Sequence, residues 1–263
     1  FFTKDINNKI LNSKNRILIN ENSELHVIEY TINESQFNFI SNVHENIILK
    51  KNSKLKNLHL QNNKSNGFFH KFVRNKLFEN SDYSNLIFSS GLKFNKLDIE
   101  CDLVENECNC NIMSALFLNK DEHQEIKTRI NHLAPNCRSY QKVKKVLNSE
   151  SKGIYQGKIY VKDIAQKTNA YQLSKALLIN DNAEFNSKPE LEIYADDVKC
   201  THGSTSGNID EDSLYYLMSR GLNREDSIKL LIKGFLNDIV ESIKSHSIKS
   251  FVEKKLEDQI NGR

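Results

Sequence analysis

A nine-residue pattern that recurs along the chain restricts what it can fold into. Three apolar residues, two polar residues, Asn, a small residue, a polar residue and an apolar residue occur in this order at 17–25 (ILINENSEL), 47–55 (IILKKNSKL) and 177–185 (LLINDNAEF). We interpret the pattern as a buried strand, a tight turn and a second strand, because Asn tolerates left-handed backbone angles and a small neighbour lets turns stack closely. One such unit cannot cover its own apolar face, whereas stacked copies share a core. The repeat therefore predicts a parallel β-helix, with an ordinary β-sandwich as the alternative.

The segment between the second and third copies is less regular. Residues 61–90 break the pattern and are predicted to form loops or a decorated coil. Alternation with a period of two resumes at Leu97, Ile99 and Cys101, which predicts a strand with these side chains in the core.

The five cysteines have no framework spacing, which favours free thiols in a reducing compartment. Cys108 and Cys110 form a Cys-x-Cys pair that could bind a soft metal, although two thiols that fill the core are the stronger interpretation. His123 and His132 lie in polar segments and are predicted to be at the surface.

Composition and charge argue against several functions. The 37 basic and 34 acidic side chains give a formal charge of +3, with no basic stripe that would indicate nucleic-acid binding. No apolar run approaches the roughly 18 residues of a membrane helix. The N-terminus is not a signal peptide and could be an internal boundary of a longer precursor. No G-x-x-x-x-G-K-[ST] nucleotide-binding motif is present.

The chain changes character at residues 192–207 (EIYADDVKCTHGSTSG). Strand-like segments precede this stretch and helical periodicity follows it. We therefore predict a β-helix over 1–206 and a C-terminal helical domain over 207–263.

The same stretch contains the highest density of polar side chains that could bind a metal or act in catalysis. His202 is a candidate metal ligand as a neutral imidazole, and Cys200 shares its face if the segment is a strand. Asp196 and Asp197 could orient His202 or cap a turn. They are not a glycosidase pair, because adjacent carboxylates on a strand point to opposite faces. A polysaccharide-active β-helix enzyme would need Asp, Arg and Lys gathered from successive coils, and the sequence shows no such repeating cluster.

Three helices are predicted after this stretch. Asp210 and Asn223 are candidate N-caps of the first two, and the third starts near Ser247. The apolar face of the first helix comprises Leu214, Leu217 and Met218. Three short helices make a thin core, so the β-helix or a partner should cover part of their apolar surface.

Four motifs together resemble a known family. They are 157–161 (GKIYV), 165–172 (AQKTNAYQ), 188–205 (KPELEIYADDVKCTHGST) and 214–221 (LYYLMSRG), and they are similar to the SufD group of SUF iron–sulfur assembly scaffolds. The paralogous SufB group has Glu directly after the motif histidine, where this chain has Gly203. SufB also has a functional cysteine after the Asn-x-x-Gln stretch, where this chain has Leu173. Both departures favour SufD.

The resemblance implies a right-handed parallel β-helix followed by a small helical domain. It also implies a non-enzymatic scaffold that pairs with a SufB-like paralogue and docks a SufC-like ABC ATPase. His202, and more weakly Cys200, are then expected to contact iron or a nascent iron–sulfur cluster that is transient and shared with the partner. The expected partner-binding residues are Leu214, Tyr215, Leu217, Met218, Arg220, Leu231 and Phe235.

Several further expectations follow from this family. A homodimer is an option when the SufB-like partner is absent, and the role of flavin is left open. The compartment is expected to be a plastid (apicoplast) stroma or a bacterial cytoplasm. An interaction-only scaffold without a metal role remains an alternative, as does the polysaccharide-active enzyme.

Overall fold

A parallel β-helix forms most of the chain, and three helices follow it. The computed structural model describes residues 7–31 and 38–261, without the side chains of 62–64. The strands are β1 (Lys9–Ile19), β2 (Glu24–Thr31), β3 (Phe39–Leu49), β4 (Lys54–Leu77), β5 (Asp82–Leu103), β6 (Asn109–Leu118), β7 (His123–His132), β8 (Arg138–Leu147), β9 (Lys152–Val161), β10 (Thr168–Leu178), β11 (Glu184–Ile193) and β12 (Val198–Asn208). The helices are α1 (Glu211–Ser219), α2 (Arg224–Val240) and α3 (His246–Ile260).

Each coil has two faces, and the strands pair in parallel with those of the neighbouring coils. Face A contains β1, β3, the second halves of β4 and β5, β7, β9 and β11. Face B contains β2, the first halves of β4 and β5, β6, β8, β10 and β12. The predicted fold class, mainly β with a parallel β-helix followed by a small helical domain, is therefore confirmed.

The asparagine repeat marks one corner of the coil. Asn22 and Asn52 have left-handed backbone angles with φ of 57°, and Asn80 follows with φ of 52°. Their side-chain amides form a ladder, with hydrogen bonds of 2.9 Å from Asn52 to Asn22 and 2.8 Å from Asn80 to Asn52. The third sequence copy lies at the opposite corner, where Asn182 is not left-handed. The repeat thus identified the fold correctly, but one of its three turns has a different geometry.

The expectation of loops over 61–90 is wrong. This segment lies in β4 and β5 apart from the turn between them, and β5 bends from face B to face A at Gly91, where φ is 88°. The two strands pair along most of their length, with register shifts between Asn62 and Phe68. Pairing with neighbouring coils therefore overrides the low strand propensity of the polar residues here.

Inward-facing side chains of both faces fill the coil. The predicted core residues Leu97, Ile99 and Cys101 are 3%, 2% and 0% exposed. Many inward positions in the later coils are polar, including Gln141 and Gln172, which are both 0% exposed. Inward polar positions also occur in the early coils, including Asn57 and Asn75, so the interior mixes apolar and polar side chains along the β-helix.

The helices begin where the sequence predicted. Asp210 accepts a 2.9 Å hydrogen bond from the Ser213 backbone, and Asn223 accepts one of 2.8 Å from Asp226. After α1, Gly221 adopts φ of 97°, as a left-handed residue beyond a helix end should. Helix α3 begins at His246, where a helix from about Ser247 was expected.

Helices α2 and α3 pack against the outer side of face B. From face B this layer includes Leu58, Leu60, Phe88, Met113 and Phe117, and from the helices Ile232, Leu236, Ile239, Val252 and Leu256. The β-helix therefore covers the apolar stripe of α2, as the thin helical core required. Within the described ranges, no helix is long and apolar enough to cross a membrane.

Candidate functional site

The last coil of the β-helix has an open edge. Within the described residues, β11 pairs with β9 and β12 pairs with β10, and no further strand adds to either one. Side chains that earlier coils bury are therefore partly exposed here. An unpaired strand edge also offers backbone donors and acceptors to another chain.

His202 and Cys200 lie side by side on the inward face of this last coil. His202 is in register with Gln172 of β10, and Cys200 with Ala170, both of which are fully inside the β-helix. His202 is exposed and Cys200 is half-buried, because no following coil covers them. The structure thus brings together the two predicted ligands at the open end.

The buried side chain of Gln172 lies in the coil before His202, and the sequence analysis assigned it no role. Gln172 donates a 3.2 Å hydrogen bond from Nε2 to the Gly157 carbonyl, while its buried Oε1 has no partner. A Cβ atom on Gly157 would lie 2.3 Å from Gln172 Nε2, so glycine makes room for this side chain. Both residues belong to the motifs that carry the family resemblance, and this membership was the sequence signal that could have identified them as part of the site.

The thiol of Cys200 is protonated at neutral pH. Burial raises its pKa, and a hydrogen bond from the Ala170 backbone offsets part of that shift. A metal would therefore have to displace the proton before the sulfur could act as a thiolate ligand.

The neighbouring carboxylates do not orient His202. Asp196 and Asp197 are exposed, and no hydrogen bond joins either of them to His202. The Asp197 backbone instead donates to Gln166 Oε1 at 2.9 Å and accepts from Lys167 at 2.6 Å, which closes the turn before β12. Across the described part of the chain, three or more His, Cys, Asp or Glu side chains do not converge on any point. Cys200 and His202 could therefore supply only part of a metal ion's ligands.

The other candidate ligands are located elsewhere. Cys108 and Cys110 are 0% and 2% exposed in the interior, in agreement with the core interpretation. The surface assignment of His132 is wrong: it is 0% exposed and its Nε2 lies 2.9 Å from Ser139 Oγ. Its position continues the inward alternation of β7, so period two outweighed local polarity. His123 is half-buried beside Glu125.

The predicted partner-binding residues divide into two groups. Leu214 is 2% exposed, and Phe235 packs under the Lys144 ammonium group at 4.8 Å from the ring centre. Both residues therefore help to pack the helical arm, which comprises α1, α2 and α3. Tyr215 and Met218 are 76% and 42% exposed. Leu217 and Leu231 line an open groove of about 450 Å³ between α1 and α2.

Three further exposed apolar residues between 214 and 235 were not named as partner-binding, and two of them, Tyr216 and Leu230, line this groove. Tyr216, Leu222 and Leu230 are 56%, 37% and 47% exposed, and the Arg220 guanidinium lies 5.2 Å from the Tyr216 ring centre. Leu230 lies outside the apolar stripe of α2, which was the sequence signal for its exposure.

A second groove of about 360 Å³ lies on the outer side of face A. Its charged lining residues come from successive coils and include Asp98, Glu100, Lys127, Arg129, Lys158 and Lys188. The expectation that no such cluster exists is therefore wrong. Lys158 and Lys188 are each paired with a glutamate, so the groove is a mixed-charge surface.

Comparison with known proteins gives a consistent result. A family model for the SufBD core domain of SUF system FeS cluster assembly matches residues 1–235. The chain is 31% identical over 214 residues to iron-sulfur cluster assembly protein SufD of Escherichia coli (strain K12), which covers 78% of this chain and 50% of that protein.

Two further relatives are also similar. Protein ABCI7, chloroplastic, of Arabidopsis thaliana is 26% identical over 235 residues, covering 89% of this chain and 50% of that protein. A SufBD family iron-sulfur cluster assembly protein of Synechocystis is 29% identical over 209 residues, covering 78% and 45%. The chain spans about half the length of these relatives. Together with the β-helix and its motifs, these matches show that the chain belongs to the SufBD core family of SUF iron–sulfur cluster assembly, as a SufD-type member.

Proposed function

We propose that this chain is a scaffold subunit, without catalytic activity of its own, of the SUF machinery for iron–sulfur cluster assembly. It pairs with a SufB-like paralogue and docks a SufC-like ABC ATPase. The family membership and the names of the relatives support this role, and the chain's own surfaces suggest where each partner binds.

The open edge of β11 and β12 is the proposed surface for the SufB-like paralogue. A partner strand added there satisfies free backbone groups and covers the half-exposed inward residues of the last coil. Because the same edge is available to a second copy of the chain, a homodimer forms when the paralogue is absent.

The adjacent placement of His202 and Cys200 at this edge carries the proposed metal role. They contribute a neutral imidazole and a soft sulfur, which suit iron and iron–sulfur clusters. Because this chain supplies only two such ligands, the remaining ligands come from the partner across the interface. Iron or the nascent cluster is therefore a shared cargo that stays only while the cluster is assembled.

ATP-driven rearrangement of the ATPase regulates this site. Cys200 is half-buried and its pKa is raised, so its thiol becomes a ligand only when a metal ion displaces its proton. His202 is already exposed at the edge, which makes it the stronger ligand of the two.

The test is copurification of the full-length protein with SufB-like and SufC-like subunits, followed by anaerobic iron and sulfide analysis. His202→Ala should leave the complex intact and lower its iron content severalfold. Thr201→Ala, on the outward side of the same strand, is the matched control and should change nothing. Unchanged iron in the His202 variant would favour an interaction-only scaffold, and absence of any complex with a folded chain would contradict the scaffold role.

The exposed apolar residues of α1 are the proposed docking site for the ATPase. Tyr215 and Met218 offer large exposed side chains on α1, and Leu217 and Leu231 line the groove between α1 and α2. A Tyr215→Ser, Met218→Ser double variant should weaken ATPase binding by about tenfold or more in calorimetry, since buried anchors of this kind contribute roughly 2 kcal/mol. Asn237→Ala on the exposed side of α2 should bind normally.

The bacterial and chloroplastic relatives support a bacterial cytoplasm or a plastid (apicoplast) stroma as the compartment. The face A groove keeps the polysaccharide-active enzyme as a second candidate. Calcium-dependent cleavage of an acidic glycan that Arg129→Ala abolishes would support it, and no cleavage would remove it.

A further inference from the structure

A notch interrupts the outer side of face B near the start of its strands. One column of outward residues runs across the coils in register, from Lys56 through Ser84 and Asn111 to Tyr140 and Tyr171. Ser84 and Asn111 are short and half-buried, whereas the residues on both sides of them are long, and the gap over these two residues is the notch. Three strand spacings of about 4.8 Å separate Lys56 from Tyr140, so the notch spans about 14 Å between their backbones.

The ring of Tyr140 lines one end of the notch. It stacks on the ring of Tyr171, with 5.2 Å between the ring centres and 15° between the planes. The two residues are register partners on neighbouring strands, so the stack follows the column and the second face of Tyr140 is turned toward Asn111. Tyr140 is 37% exposed. A planar ring that enters the notch therefore has a free aromatic face on which to continue the stack.

Polar side chains of the neighbouring column border the notch. Asp82, Asn109 and Arg138 follow one another in register, and they line a cavity of about 330 Å³ together with Ser84 and Tyr140. Arg138 is exposed, and no described residue forms an ion pair or hydrogen bond with its guanidinium group. Asp82 Oδ1 accepts a 3.2 Å hydrogen bond from Ser84 Oγ, while Oδ2 has no partner among the described residues. The cavity thus combines a stacking face, an unpaired cation and a carboxylate oxygen that can still accept a hydrogen bond.

The helical arm leaves this cavity open. Helices α2 and α3 cover the apolar part of face B, and none of their described residues lines the notch. Arg138 and Tyr140 are both exposed, so a ligand from solvent reaches them without movement of the backbone. One unpaired cation beside a carboxylate suits a single phosphate group, whereas a nucleic-acid backbone is bound by a series of cations.

We propose that the notch binds a purine nucleoside monophosphate. The base stacks on the free face of Tyr140 above Ser84 and Asn111, as bases stack on aromatic side chains elsewhere. Arg138 donates to the phosphate oxygens, and Asp82 accepts from the ribose hydroxyl groups. The cavity volume of about 330 Å³ lies in the range of small-molecule sites. A free nucleotide and the end of an RNA strand share this chemistry, and the experiment separates these two sources.

The experiment titrates the full-length protein with adenosine monophosphate (AMP), adenosine and oligoadenylate RNA in isothermal calorimetry. We expect AMP to bind with a Kd between about 10 μM and 1 mM, as a ligand of this size in an open site should. Adenosine should bind about fivefold or more weakly, because it lacks the phosphate group. The RNA should bind no more than a few times as tightly as AMP, since only one nucleotide occupies the notch.

Variants of the notch test each contact. Tyr140→Ser should weaken AMP binding by about tenfold or more, while Tyr140→Phe should retain it because stacking does not need the hydroxyl group. Arg138→Ala should weaken AMP binding by about tenfold and leave adenosine binding unchanged. Asn111→Tyr should abolish binding of both, because a third ring fills the notch and continues the stack. Tyr194→Ser is the matched control, since Tyr194 is exposed beside Tyr160 at the far end of face A, and it should bind AMP normally.

Three results would overturn the proposal. One is the absence of saturable AMP binding to the folded wild type at millimolar concentrations. Another is an affinity for AMP that Tyr140→Ser and Asn111→Tyr leave unchanged. The third is oligoadenylate that binds about a hundredfold more tightly than AMP and is released steeply by salt, which would replace the monophosphate site by an RNA site. The measurement needs neither iron nor a partner protein, so its outcome is separate from the scaffold test.

Discussion

Lys145 is a charged residue that faces the interior of the β-helix. It is 0% exposed, and its Nζ donates to two backbone carbonyls, Gln124 O at 3.2 Å and Ile154 O at 2.5 Å. Gly153 leaves room for its aliphatic stem, since a Cβ there would approach Lys145 Cδ to 3.1 Å. Burial lowers the pKa of Lys145 to about 7.

This lysine should make stability depend on pH above neutrality. Between pH 7 and about 10 the unfolded chain binds a proton that the folded chain has released, so the unfolding free energy should rise with pH, by up to about 1.4 kcal/mol per unit. Lys145→Met should raise the unfolding free energy at pH 7 by a few kcal/mol and remove this dependence. Urea unfolding at several pH values measures both, and the exposed Lys127→Met is the control. Equal slopes in the two variants would refute the assignment.

The sequence could not place these interior polar side chains. Hydropathy assigns Lys145 and His132 to the surface, while their hydrogen-bond partners come from segments that only the coil brings together. Strand alternation was the better guide, because it places His202 and Cys200 on one face without knowledge of the partners.

At the scale of elements, helix α2 is fixed to the β-helix by charge as well as by apolar packing. Asp238 of α2 receives hydrogen bonds from Lys142 and Lys144 of β8, and Lys144 also donates to the Phe235 carbonyl at 2.6 Å. Burial alone would raise the pKa of Asp238, but these two lysines outweigh it and lower the pKa. The contact therefore stabilises the docked helix at pH values above the ordinary pKa of aspartate. This stabilisation is lost as the pH falls through the lowered pKa of Asp238.

Asp238→Asn should loosen α2. The half-exposed site limits the loss of unfolding free energy to about 1 kcal/mol at pH 7, and the difference from wild type should shrink below about pH 4 and vanish as the pH falls through the lowered pKa of Asp238. Hydrogen exchange of α2 amides and urea midpoints report the change. Asp258→Asn on α3 should behave as wild type, because Asp258 itself forms no ion pair within the described residues. A loss that persists in acid would contradict the electrostatic origin.

Local sequence signals predicted the helices and the corner turns more reliably than they predicted the long strands. Asp210 and Asn223 act through neighbouring backbone groups, so their caps were readable from adjacent residues. The strands β4 and β5 were not readable, because their polar middle is held by pairing with other coils. The bend at Gly91 lies at the corner opposite the left-handed asparagines, inside β5, so the asparagine turns gave no signal for it.

At the scale of the whole molecule, the β-helix covers the apolar surface of only part of the helical arm. Helices α2 and α3 are covered by face B, whereas α1 leaves Tyr215 and Met218 exposed. The sequence indicated that the apolar surface of the helices needed a cover. It could not show which of the three helices the β-helix would cover. The structure thus leaves α1 and the open edge as separate surfaces, one for each proposed partner.

Removal of the arm should reveal the dependence of face B on it. A chain that ends at Asn208 exposes apolar side chains such as Phe88, Met113 and Phe117, and contiguous apolar surface of this kind drives association. We expect stronger fluorescence of an apolar dye and concentration-dependent oligomers in sedimentation, while circular dichroism still shows β structure. Tyr215→Ser in the full-length protein is the control and should show neither change, because its side chain contributes nothing to face B packing. A truncated chain that stays monomeric and does not bind dye would mean that the strands themselves rearrange to bury this surface.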